Sequence, residues 1–109
     1  MRLVLTLILI TLSLISNAAP IKGAGAGSCG EWVEERRENT YHATLHWIQG
    51  FLSAYNAYVY SGTNPDGVFG GADYKAIAVW MDNYCQKNPL STPYTGAELL
   101  IKELEAQYN

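Results

Sequence analysis

Two cysteines constrain this chain more than any other feature. Cys29 and Cys85 are the only ones, and a bond between them would enclose about 57 of the 109 residues. Such a bond persists only outside the reducing cytosol, so the compartment decides whether it forms. The amino terminus speaks to that point. Arg2 precedes an apolar run from Leu3 to Ile15, interrupted by Thr6, Thr11 and Ser13 and followed by Ser16-Asn17-Ala18. A basic start, a short apolar stretch and small residues before a cut form the pattern of a cleaved export signal. The run is shorter than the ~20 residues that span a bilayer. Pro20 disfavours a cut after Ala19, and Pro20, Lys22 and several glycines separate Cys29 from the run, which argues against lipid attachment there. The chain therefore divides into a signal peptide (1–18), a flexible Ala/Gly leader (19–27) and one helical domain (28–109). With two cysteines in an exported chain, one internal pairing is available, Cys29 with Cys85. A mature domain of roughly ninety residues buries a modest fraction of its surface, so a covalent staple matters to it.

Charge narrows the function classes. Seven Lys+Arg stand against ten Asp+Glu, a net charge of −3. Removal of Arg2 with the signal makes the domain more acidic still. An acidic chain without a basic patch does not track phosphates, so no nucleic-acid partner is expected. There is no P-loop, no dinucleotide fingerprint and no long alternating strand pattern.

The periodicities predict an all-α domain of four helices. Ser28 with Glu31 three positions on is a capping box opening a first helix, Cys29 to Glu38, with Trp32 and Arg36 on one face. Asn39 and Thr40 either break or bend the path. A second helix is predicted from Tyr41 to Tyr60, its buried face carrying Trp47, Phe51, Tyr55 and Tyr58 and broadened by Leu45, Ile48, Leu52 and Val59. Gly50 in its middle reads as the place where another helix comes close. Residues 61–72 are a loop with Asn64-Pro65-Asp66-Gly67 and Gly70-Gly71 as turn signals. A third helix, Asp73 to Lys87, presents Ile77, Trp80, Met81 and Tyr84 inward and ends before Asn88-Pro89. Pro93 suits a first turn, Thr95-Gly96-Ala97-Glu98 reads as a second capping box, and Ala97, Leu100, Ile101 and Leu104 line the core face of a fourth helix.

The order of these segments carries a resemblance. Cys29-x-x-Trp32-x-x-x-Arg36, the run Trp47-Ile48-Gln49-Gly50-Phe51, then Trp80-Met81-Asp82-Asn83-Tyr84-Cys85, Asn88-Pro89-Leu90 and a terminal Ala97-to-Leu104 helix follow one another. The pattern resembles the small exported bacterial proteins grouped around the HdeA/HdeB acid-stress chaperones and the Tai-type immunity proteins. It covers Cys29 to Leu104. The resemblance implies a compact four-helix HdeA-like domain with one disulfide, located in the periplasm and acting by binding protein. The chain departs from the acid chaperones in its many Tyr and Trp, its few Lys and its long glycine-bearing loop.

Site candidates follow from residue types. Trp32, Trp47, Gly50, Phe51 and Trp80 form the core motif. Tyr58, Tyr60, Asp66 and Phe69, at or near the loop, are candidate partner-binding residues, since aromatic anchors on a stapled scaffold suit an interface. His42 and His46 lie one helical turn apart and are candidate pH sensors. With Glu38 they have the spacing of three metal ligands, but His-Glu-x-x-His is absent and no metal site is assigned. No catalytic triad or nucleophile elbow is recognisable, so no enzyme activity and no cofactor are expected. The expected function is non-enzymatic protein binding in the periplasm, as an acid-stress chaperone. Alternatives are an immunity or phage-exclusion protein that inhibits a cell-wall hydrolase, or a small metal-dependent hydrolase. The expected partner is another protein (an unfolded client, or one hydrolase or phage component), homodimerisation stays open, and no membrane contact is expected after signal cleavage.

Overall fold

The structure is a computed structural model that describes residues 20 to 108. The expected signal peptide, 1–18, lies outside the described residues. Four helices account for the domain: α1 (Cys29–Glu38), α2 (His42–Tyr58), α3 (Tyr74–Lys87) and α4 (Pro93–Tyr108). Among the described residues there is no strand, and no helix is long and apolar enough to cross a membrane.

Local chemistry sets the boundaries. Ser28 Oγ accepts from Glu31 N–H, and the Glu31 carboxylate accepts from Ser28 N–H, so the predicted capping box opens α1. Asn39 ends it in the left-handed conformation (φ 58°), one that Asn tolerates better than most residues, so the path breaks rather than bends. Asp73 caps α3 by accepting from Ala76 N–H. At α4 the cap is Thr92, whose Oγ1 accepts from Thr95 N–H. The predicted box at Thr95 therefore sits inside the helix, because Pro93 fills the first turn without needing a donor.

The helices α1 and α3 pack together, as do α2 with α4, α3 with α4 and α2 with α3. Cys29, at the start of α1, is bonded to Cys85, in the last turn of α3, with Cα atoms 4.8 Å apart. Around this anchor the core collects Trp32, Leu45, Ile48, Leu52, Val68, Ile77, Met81, Ala97, Leu100 and Leu104, all buried.

Several expectations shift. On α2 the buried residues are Thr44, Leu45, Ile48 and Leu52, while Trp47, Phe51 and Tyr55 pack half-buried at the margin. Trp80 is likewise marginal, stacked on Tyr84 with centroids 5.6 Å apart. At the margin the polar atoms of three of these rings are bonded, the Trp47 indole to Lys22 O, the Tyr55 hydroxyl to Glu105 and the Trp80 indole to Glu103. α2 also ends at Tyr58, and Tyr58 and Val59 are 88% and 62% exposed.

Gly50 is exposed, and a Cβ there would meet nothing within 4 Å, so it admits no neighbouring helix. That role belongs to buried Gly96 on α4, where a Cβ would lie 2.7 Å from both Met81 Sδ and Tyr84 Cδ1. The leader is docked rather than loose. A 3₁₀ turn, Ala24–Ala26, packs against α2 and α4. The Trp47 indole N–H donates to Lys22 O (3.0 Å), and Gly25 lies so close beneath the ring that a Cβ would fall 2.0 Å from Cε3.

Candidate functional site

The seam between α1 and α3 carries the densest polar arrangement. The disulfide pins the start of one helix to the end of the other, so they run antiparallel and residues ahead of Cys29 meet residues behind Cys85. Arg36 reaches Asp82 in this way. Its Nε donates to Oδ1 (2.9 Å) and its Nη2 to Oδ2 (2.9 Å), and the buried Trp32 indole N–H also donates to Oδ1 (2.9 Å). The guanidinium lies over the Tyr41 ring, 4.3 Å from its centroid. The Asp82 hydrogen bond raises the Arg36 pKa further above its usual value, so the charge is permanent.

Two shallow depressions, about 400 Å³ and 280 Å³, share Arg36 and Tyr41. Val33 on α1 lines one and Val79 on α3 the other, and both are exposed apolar side chains. On this surface exposed apolar side chains flank a fixed ion pair.

The predicted pH sensors border the same region. His42 Nδ1 and Tyr74 Oη are 2.7 Å apart, and Tyr74 also packs against His46 with centroids at 5.5 Å. Tyr74 of α3 thus sits with both histidines of α2 and lines the depression beside Arg36. Glu38 lies across the Asn39 break on another helix. Among the described residues no three His, Cys, Asp or Glu side chains are grouped to hold a metal ion.

The predicted partner residues divide. Tyr58 and Asp66 are exposed, whereas Tyr60 and Phe69 pack half-buried against the core. The loop is pinned rather than presented: Asn56 Oδ1 accepts from Val68 N–H (2.7 Å), and Val68 is buried. None of the four lines the depressions around Arg36.

Sequence reasoning missed the carboxylates. Asp82 of α3 accepts from Trp32 and Arg36 of α1. Glu35 of α1 accepts from buried Thr44 of α2 (2.6 Å). Glu105 of α4 accepts from the Tyr55 hydroxyl of α2, and Glu103 of α4 from the Trp80 indole of α3 (2.6 Å). Each acid joins a different pair of helices, and together they close a circuit α1–α2–α4–α3–α1. The hydrogen bond to Glu105 also raises the Tyr55 pKa, and one to Glu98 raises that of Tyr94. One signal was available: once the cysteines are paired, Asp82 falls three residues behind Cys85 while Trp32 and Arg36 fall three and seven ahead of Cys29. The other links join residues too distant in sequence for local spacing to reveal.

Comparison of the chain with models of known protein families, with curated proteins and with solved structures found no match.

Proposed function

We propose that this is an exported, non-enzymatic protein-binding module of the periplasm that loosens in acid to hold unfolding clients, in the manner of the HdeA/HdeB chaperones it resembles. One observation carries the reading: the four-carboxylate circuit, in which every link has an acid as its acceptor. A charge-assisted hydrogen bond is about twice as strong as a neutral one, so protonation weakens all four links together. The released state keeps six basic side chains, Lys22, Arg36, Arg37, Lys75, Lys87 and Lys102. Repulsion then adds to the lost bonds.

The first element to leave is α4. It lies outside the loop closed by Cys29–Cys85, and two of the four acids, Glu103 and Glu105, hold it. Its departure bares Ala97, Leu100, Ile101 and Leu104 together with the surface beneath them. The test is client aggregation at pH 2–3 with and without equimolar protein, repeated with the triple variant Glu35→Gln, Glu103→Gln, Glu105→Gln. Suppression by the wild type, and suppression at a higher pH by the variant, support the reading. Unchanged aggregation overturns it.

A second reading has its own support. The depression around Arg36, flanked by Val33 and Val79, suits a preformed interface for one hydrolase or phage component, as in an immunity or exclusion protein. Pull-down at neutral pH separates the two: one tight cell-wall hydrolase or phage component favours inhibition, and no stable partner favours the chaperone.

A further inference from the structure

A cavity of about 220 Å³ opens between α3, α4 and the end of the loop that precedes α3. Ala72, Ile77, Leu100 and Leu104 give it apolar walls, and Trp80, Glu103 and Gln107 also line it. Glu103 Oε2 is occupied by the Trp80 N–H. Its other oxygen has no partner among the described residues, and no Lys, Arg or His among them pairs with it. The cavity exceeds the ~150 Å³ that accommodates a benzene ring in an apolar site. A flat apolar body therefore fits the walls, with an aromatic face beside it and an unneutralised negative charge at the same site.

We infer that this cavity between α3 and α4 is a binding site for a small arylalkylammonium cation, with the ring against Ile77, Leu100 and Leu104 and the ammonium on Glu103 and the Trp80 face. The three components are complementary to that class in different ways. The walls select the apolar body by burial. The indole attracts a cation through its quadrupole. The carboxylate rejects anionic analogues of the same shape. The site shares Glu103 and Trp80 with the carboxylate circuit, so its test is run at pH 7, where the proposed acid release plays no part.

The test is an NMR titration of the full chain at pH 7 with 2-phenylethylammonium, followed at the Trp80 indole N–H and the methyl groups of Ile77, Leu100 and Leu104. Saturable shifts at these positions are expected, with a dissociation constant on the order of 1 mM, as suits so small a ligand. 3-Phenylpropionate and propylammonium should each bind at least about fivefold more weakly, the first for its charge and the second for its missing ring. Glu103→Gln keeps an acceptor for the indole N–H and should weaken 2-phenylethylammonium by a similar factor, with the dispersed spectrum of a folded domain retained at pH 7, where the other three acid links stay in place. Ala76→Leu, at the lining of the site, should block it. Equal binding of the anion, or wild-type affinity in Glu103→Gln, overturns the assignment.

Discussion

Arg36 and Asp82 meet in a two-point fit across the α1–α3 seam, with Asp82 also taking the indole proton of Trp32. Both side chains are about a quarter exposed, which screens their attraction, whereas Trp32 is buried. Asp82→Asn keeps an oxygen for the indole and removes the charge, and should cost about 1 kcal/mol. Asp82→Ala also orphans a buried N–H and should cost about 2–3 kcal/mol. Urea denaturation of both variants checks this; equal losses would show the indole bond to be worth nothing.

Removing the Cys29–Cys85 bond should be the most costly single chemical change. The bond closes a loop across a separation of 56 residues, for which chain entropy gives about 4 kcal/mol. Against a total of ~5–15 kcal/mol this threatens the fold itself. Denaturation with and without reductant measures it.

The two helical glycines should respond in opposite directions. Gly50→Ala fills open space on an exposed helix face and should stabilise by about 0.5–1 kcal/mol. Gly96→Ala drives a methyl into Met81 and Tyr84 and should destabilise by about 1–3 kcal/mol. Thermal melts of the pair, side by side, decide both.

Stability should fall in alkali through Tyr55. Its phenol pKa is raised above the usual 10.0 by the hydrogen bond to Glu105, so the folded state holds this proton more tightly than the unfolded chain. The contribution is complete below pH 10 and is lost as pH rises through the folded value. In Glu105→Gln the phenol should ionise at lower pH than in the wild type. Ultraviolet difference titration, with Tyr55→Phe identifying the signal, reads the change.

Much of the fold was legible because its signals are local or countable. Ser28 and Glu31 announce the start of α1, Asn88-Pro89 the end of α3, and two cysteines permit a single internal bond. The placement of rings was less legible. Trp47, Phe51 and Tyr55 share a helical stripe, but the smaller Leu45, Ile48 and Leu52 take the interior. Periodicity gives the spacing of a face, while the direction of the core depends on neighbours that are distant in sequence. For the same reason the close helix approach expected at Gly50 occurs at Gly96 instead. Of the candidate site, the two histidines were readable from their spacing, whereas Tyr74 and the acids that link the helices come from segments about 10 to 50 residues away.

The glycines beneath Trp47 move the edge of the folded unit upstream of its first α-helix. Ile21 to Gly27 form a hem stitched to α2 by one indole N–H, and the two glycines at 23 and 25 are the stitches that nothing bulkier can replace. A recombinant chain trimmed to begin at Ser28 uncovers that indole and leaves its N–H without the Lys22 carbonyl.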